Sequence, residues 1–324
     1  LVARLAGTPR ENDIVPVDTV EAPLSLSGHI ADLRARAANP DEAADAQLAA
    51  ILLALMAREG IASAQPHRWL GAGGTPTTDE EYTGELTLSP SQFERALACP
   101  LRWFLTTIGA DGPSNAAASL GTLVHAVAEE HPHGTPEELT EALEARIEEL
   151  GYNLDTWAGR VADRHARDIV NNLASYLEGI PGPVEVEQTV SAQVEGVTIR
   201  GRMDRLEHVD EGVRVTDLKT GKSGYSAKTV PDNPQLAAYQ MALLASGERV
   251  AGARIALLGD DKPKYFDQPR LEGQALEDWH DKIRSVAVDA RGPYFEARPS
   301  DTACAYCSFD RLCPARERGH KVVE

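Results

Sequence analysis

The spacing of apolar positions changes several times along the chain, and each change marks an expected element. Residues 1–40 are interrupted by Pro9, Pro16, Pro23 and Pro40 and are expected to be irregular. Beyond Pro40, Leu48, Ile51, Leu52, Leu55 and Met56 recur at helical spacing, and Gly60 supplies a stop. The run from Gly71 to Glu81 is glycine-rich, then polar and acidic, and reads as a linker with a boundary near residues 71–85. Ser89, Pro90 and Gln92 form a helix entry of the capping-box kind, and Phe93, Ala96 and Leu97 give that helix its apolar stripe as far as Cys99-Pro100. A second apolar piece runs from Leu101 to Ile108. Residues 116–130 predict a further helix with Leu120, Leu123, Val124 and Val127 inward. On its neighbouring stripe Gly121, His125 and Glu129 stand four residues apart. Residues 136–150 and 156–178 predict two charged amphipathic helices.

The period then falls to two. Val184, Val186 and Val190 predict one strand, with Glu185 and Glu187 on its other face, and Val197 to Val209 predict a second. Asp210-Glu211-Gly212 is a turn, and Val213 to Lys219 returns antiparallel. Asn233 or Pro234 opens a helix that places Gln235 and Tyr239 one turn apart. A strand at Arg254 to Leu258 and a helix over 273–290 follow. This order predicts an α/β fold with a mixed central sheet flanked by helices, preceded by a mainly helical segment over residues 1–85.

The length of 324 residues allows one large or two smaller domains, and 42% hydrophobic content is enough for a core. No run of eighteen apolar residues and no basic, apolar leader occurs, so a cytoplasmic location without a membrane span is expected. A start at Leu1 suggests a piece of something longer or a processed product. The net charge of −18 argues against nucleic-acid binding by the chain as a whole, since phosphate is held largely by Lys and Arg. A site can still be locally positive or filled by a metal. Lys219, Lys222, Lys228, Lys262 and Lys264 are candidates for local positive charge. Arg160, Arg164 and Arg167 recur on one helix, where they fit a solvated face equally well.

Asp217 and Lys219 alternate onto one face of an otherwise apolar strand. A carboxylate and an ammonium there are costly to bury without partners or a task, and an isolated Asp-x-Lys fits a salt bridge at a sheet edge. The hairpin, however, sets Asp204 on the adjacent strand, and His125 sits on a helix free to pack nearby. Hard divalent ions favour carboxylate oxygens, and Mn²⁺ accepts an imidazole. His125, Asp204 and Asp217 can therefore supply three ligands and the backbone carbonyl of Leu218 a fourth, with Glu187 close in pattern. Lys219 can orient a water or stabilise charge on a phosphate. Singly, His125 fits a satisfied helix histidine and Asp204 a hairpin ion pair with Arg202.

Gly121-x-x-x-His125, Gly201-x-x-Asp204, Asp217-x-Lys219 and Gln235-x-x-x-Tyr239, in that order, resemble the motif set of RecB-type nucleases of the PD-(D/E)XK superfamily over roughly residues 86–324. Met203 replaces the proline of the superfamily name. The resemblance implies a restriction-endonuclease-like fold and a Mg²⁺- or Mn²⁺-dependent deoxyribonuclease of exonuclease type. It makes His125, Asp204 and Asp217 metal ligands and Lys219 the catalytic lysine, with Gln235 and Tyr239 binding DNA or holding the site together. A catalytically silent DNA-binding or assembly module is the alternative.

Cys99, Cys304, Cys307 and Cys313 are all the cysteines in the chain. The last three alone fit half a zinc site. One distant cysteine before the core and three after it resemble the iron–sulfur staple of AddB-type nucleases, in which four thiolates hold a [4Fe–4S] cluster. Trp103, Tyr306 and Phe309 are aromatic neighbours suited to shield it. Zinc in a non-enzymatic interaction domain remains the alternative. Residues 1–85 contain no phosphate-binding loop of the Walker kind and resemble the end of a UvrD-like helicase motor. The whole resembles actinobacterial AdnAB-type helicase–nucleases. That resemblance implies single-stranded DNA ends, a motor and a second helicase–nuclease subunit as partners in double-strand-break processing.

Overall fold

The computed structural model describes residues 25–39, 41–66, 80–110, 120–147, 151–180, 182–221, 224–305, 307–310 and 312–316. They belong to two compact units, Leu1–Asp79 and Glu80–Glu324. In the first, α1 (Leu26–Ala37) packs with α2 (Ala43–Arg58) and a short 3₁₀ turn at Ala62–Ala64. Helix α1 corrects the expectation of an irregular segment. The hydroxyl of Ser25 caps it by accepting from the Gly28 N–H at 3.1 Å, and Ile30 and Leu33 supply its buried stripe between the flanking prolines. On α2 the inward positions are Ala49 and Leu53, whereas Leu48, Ile51 and Leu55 are 52%, 52% and 44% exposed. The helix was expected; its buried face was not, because the segment is apolar on more faces than one partner helix can cover.

The second unit begins with β1 (Leu86–Leu88), α3 (Pro90–Ala98) and α4 (Pro100–Thr107), then α5 (Leu120–Glu130), α6 (Pro136–Glu144) and α7 (Trp157–Glu178). The capping box at Ser89 and Gln92 is present, at 3.2 and 2.9 Å. The strands β2 (Val184–Val194), β3 (Val197–Val209) and β4 (Gly212–Lys219) follow, then α8 (Pro234–Ala245), β5 (Val250–Leu257), β6 (Lys264–Pro269), α9 (Gly273–Asp289) and α10 (Asp301–Ala305). They make a six-stranded mixed sheet in the order β1-β3-β4-β5-β6, with β2 also beside β3. The pairs β1–β3 and β4–β5 are parallel, and the rest are antiparallel. The fold is the expected α/β arrangement, with β1 and β6 added. Neither was expected: β1 is three residues long, and β6 shows no clean alternation and ends at Pro269.

Strand β3 fixes where the site can be. Strand β2 runs along one of its edges from Val197 to Glu207. The other edge carries β1 at Val197–Ile199 and β4 at Arg205–Val209, so residues 200–204 have no described strand beside them there. Helices α8, α9 and α3 cover one face of the sheet, packing on Ile199, Val213, Val215 and Ile255. Helices α5, α6 and α7 cover the other, packing on Leu218, Ala256 and Leu258. Leu218 thus faces the α5–α7 layer. By alternation Asp217 and Lys219 face the α8 layer. At the split in the sheet, side chains from both layers can meet.

Candidate active site

Helix α8 is fixed by its own N-terminus: the side chain of Asn233 accepts from the Leu236 N–H at 2.8 Å, and Pro234 occupies the first helical position. That sets Gln235 over β4. Its Nε2 donates to Asp217 Oδ1 at 2.8 Å, its Oε1 accepts from Lys219 Nζ at 3.2 Å, and Lys219 Nζ lies 2.8 Å from Asp217 Oδ2. One turn on, the Tyr239 hydroxyl donates to the backbone carbonyl of Arg202 at 2.7 Å. That carbonyl lies in the stretch of β3 that has β2 on one edge and no described strand on the other, and a half-buried carbonyl there gains a partner in Tyr239. Gly201 provides the room, because a Cβ there would lie 2.6 Å from Pro90 Cδ and 3.0 Å from Tyr239 Cε1. The Gln-x-x-x-Tyr spacing therefore reaches two strands from one helix face.

From the opposite layer α5 meets β3 at two points. His125 Nδ1 is 3.2 Å from Asp204 Oδ1, and Glu129 Oε1 accepts from Arg202 Nη2 at 2.9 Å. A four-residue step along a helix rises about 6 Å and a two-residue step along a strand about 6.6 Å, so the two pairs match. Arg202 also pairs with Glu187, so it is not the hairpin partner of Asp204. Asp204 Oδ2 instead accepts the Leu218 N–H at 2.7 Å, tying β3 to β4 beside Asp217. Glu187 takes φ 54°, a left-handed conformation that is strained for a side chain of this kind. The β2–β3 ladder pairs Val186 with Arg205 and Gln188 with Met203 but skips Glu187 and Asp204. The irregularity turns Glu187 inward.

Ligand atoms of His125, Glu187 and Asp204 all lie within 4.8 Å of one another, the one such group of three among the described residues. Glu187 thus takes a more central place than its pattern suggested. Asp217 lies beside this group and is held by Gln235 and Lys219.

Charge is crowded here. Burial is the main force raising the Asp217 pKa, to about 6; Lys219 opposes it and Asp204 adds to it. Burial likewise raises that of Glu187, opposed by Arg202 and reinforced by Asp204 and Glu129. For His125, burial disfavours the cation, but Asp204, Asp217 and Glu187 outweigh it, and the net shift is upward. Lys219 follows the same logic, burial being outweighed by Asp217. Burial also raises the pKa of Glu94 on α3, whose carboxylate feels the Lys219 ammonium. Sequence reasoning missed Glu94, whose inward direction depends on how α3 crosses the sheet. The donor set, two carboxylates and an imidazole, fits a hard divalent cation.

Cys99 ends α3 and caps α4, and Cys304 lies in α10. The two segments are neighbours: Arg102 Nη1 donates to the Ala303 carbonyl at 2.8 Å, Leu101 N to that of Glu296 at 3.1 Å, and Phe104 stacks on Phe295 at 4.0 Å. All four cysteines are half-buried free thiols. Trp103 and Phe309 are buried, while Tyr306 lies outside the described residues. Of the basic candidates, Lys222 also lies outside them. Arg160 donates to the carbonyls of Leu154 and Asp155, Arg167 pairs with Glu144 and Asp163, and Lys264 pairs with Asp260. No helix among the described residues is long and apolar enough to cross a membrane.

The chain is 25% identical over 271 residues to the Gene 69 protein of Mycobacterium phage D29, covering 70% of this chain and 96% of that one. Among solved structures it is similar to SSO0001, with 18% identity, a TM-score of 0.38, and 72% and 88% of the two chains covered. It is also similar to a protein of Eubacterium rectale described as a candidate exonuclease, with 14% identity, a TM-score of 0.40, and 72% and 94% covered. Residues 87–314, which carry every motif described above, match the profile of the PD-(D/E)XK nuclease superfamily, and the chain belongs to that superfamily.

Proposed function

We propose that the chain is a Mg²⁺- or Mn²⁺-dependent deoxyribonuclease that hydrolyses phosphodiester bonds of single-stranded ends. The observation that carries this reading is the convergence of His125, Glu187 and Asp204 beside the Asp217–Lys219 pair. His125, Asp204 and Asp217, with Glu187 and the Leu218 carbonyl, would hold the ion. When bound, it supplies Lewis-acid polarisation of a phosphoryl oxygen. In the hydrolysis a water oxygen bonds to phosphorus as the bond to the 3′ oxygen breaks, and that oxygen leaves with a proton. Lys219 brings its ammonium to the charge that builds on the phosphate. Gln235 holds Lys219 and Asp217 in register, and Tyr239 keeps β3 in place, so both act as positioning residues before any contact with DNA.

The wider context rests on resemblance. It makes the chain part of a cytoplasmic helicase–nuclease that processes double-strand breaks with a motor and a second subunit. The four cysteines would hold a [4Fe–4S] cluster. Its support is the bonded proximity of the Cys99 junction to the segment before Cys304. Iron and sulfide in the purified protein, with a brown colour, are expected; zinc without iron would remove the cluster.

The decisive experiment is cleavage of a labelled single-stranded oligonucleotide in Mg²⁺ or Mn²⁺ by the wild type and by Asp217→Ala. Cleavage by the first and none by the second, with unchanged circular dichroism, is expected. Activity retained in Asp217→Ala removes the site assignment. No cleavage by the wild type in either metal leaves a DNA-binding or assembly module.

A further inference from the structure

A groove of about 500 Å³ lies between α3, α4 and the segment that holds Ser300 and Thr302, and none of the motifs accounts for it. One wall is a single face of α3, where Ser91, Glu94 and Arg95 stand at helical spacing. Arg102 of α4 and the hydroxyls of Ser300 and Thr302 complete it. Glu94 in this wall is close enough to feel the Lys219 ammonium, which links the groove to the proposed reaction centre.

Its charge is unusual for this chain. The net charge is −18, and Arg36, Arg146, Arg167, Arg202, Arg254 and Arg284 all pair with carboxylates. Among the described residues neither Arg95 nor Arg102 has a carboxylate at ion-pair distance. Arg102 donates one N–H to the Ala303 carbonyl, and the rest of its five-donor fork has no partner among the described residues. Two guanidiniums and a row of hydroxyls in one groove suit a chain of phosphodiesters, which presents oxygens at each step and no requirement for base identity.

We propose that this groove binds the backbone of single-stranded DNA beside the metal site, with Arg95 and Arg102 as its phosphate contacts. The inference deepens the nuclease reading and rests on it for the position of the scissile bond. It also accounts for how so acidic a chain holds an anion: the contact is a local track in which Arg95 and Arg102 outnumber the one carboxylate of the wall, Glu94.

The test is fluorescence anisotropy of a labelled single-stranded oligonucleotide with the 324-residue chain, over a salt series and without added divalent ion. Wild type, Arg95→Gln, Arg102→Gln and the double variant are compared, with Arg164→Gln on α7 as the control. Each groove substitution should lower the slope of log affinity against log salt by about 0.7. The double variant should bind roughly tenfold more weakly, whatever the base sequence. The control should match the wild type. Arg95 makes no described side-chain hydrogen bond or ion pair, only a charge interaction with Glu94 beside it, so Arg95→Gln decides the matter even if Arg102→Gln loosens the Ala303 segment. A wild-type slope in Arg95→Gln and in a folded double variant overturns the proposal, as does a wild type that does not bind. If the substitutions lower the slope but the wild type cleaves in neither Mg²⁺ nor Mn²⁺, the groove stands and the nuclease reading falls.

Discussion

Gln235 donates to Asp217 Oδ1 at 2.8 Å, and the same side chain accepts from Lys219 Nζ at 3.2 Å. One amide therefore fixes the carboxylate and the ammonium that alternate onto the inner face of β4. An amide has both a donor and an acceptor, which neither a carboxylate nor an aliphatic group of the same length offers. Gln235→Leu is expected to lower kcat by about 10²-fold through misplacement of Lys219, with a melting temperature close to that of the wild type. Gln235→Glu should be impaired as well, because it puts a third carboxylate beside Asp217. Single-turnover cleavage read alongside thermal melts checks both; wild-type rates in Gln235→Leu would remove the positioning role.

Gly201 carries no chemistry, yet a Cβ there would lie 2.6 Å from Pro90 Cδ, closer than a Cβ tolerates, and 3.0 Å from Tyr239 Cε1, a tight contact. Gly201→Ala should cost about 1–3 kcal/mol of stability by overpacking. It should also separate the Tyr239 hydroxyl from the Arg202 carbonyl. Tyr239→Phe isolates that second effect, leaving the carbonyl without its donor at a cost of about 1–3 kcal/mol. Urea denaturation of both variants measures the two contributions.

Most of the site was legible because its parts follow local rules. The alternation of β4 put Asp217 and Lys219 together, the hairpin put Asp204 next door, and four-residue spacing put His125 and Glu129 on one stripe. Glu187 was only half legible: its place depends on a positive φ and a skipped ladder pair, which depend on how β2 and β3 bend together. The Asp204–Arg202 pair, the plainer role for Asp204 taken singly, does not form: Arg202 pairs with Glu129, where α5 docks, and with Glu187 of β2. The face that α2 buries was unreadable for the same reason, as apolar residues surround it and tertiary packing selects among them.

Arg202 is the one described cation that bridges Glu129 and Glu187, and it is 57% exposed, so its pairs are screened by water. Its removal in Arg202→Met should lower the melting temperature of the metal-free chain by only about 2–4 °C. The larger effect should be on metal linkage. With less counter-charge beside Glu187 and Asp204, saturating Mn²⁺ should raise the melting temperature of the variant more than that of the wild type. An equal metal-induced shift in both would separate Arg202 from the ion site.

The pH dependence follows from the same crowding, and its sign can be worked out. Burial lifts the Asp217 pKa from an ordinary 3.8 to about 6, so between those values the folded chain binds a proton that the unfolded chain has released. This contribution to stability is full below the unfolded value and is lost as pH rises through about 6. The upward shift of His125 acts in the same sense. The metal-free chain should therefore melt at a lower temperature at pH 7 than at pH 5. A divalent ion requires the carboxylates ionised, so it should reverse the trend. In saturating Mn²⁺ the melting temperature should rise with pH across the same window, and cleavage at limiting Mn²⁺ should fall as pH drops through about 6 and recover when more metal is added. Melting curves and metal titrations of the wild type and Asp217→Asn separate this residue from the other carboxylates. The substitution should flatten the metal-free dependence, and an unchanged profile would place the titrating group elsewhere.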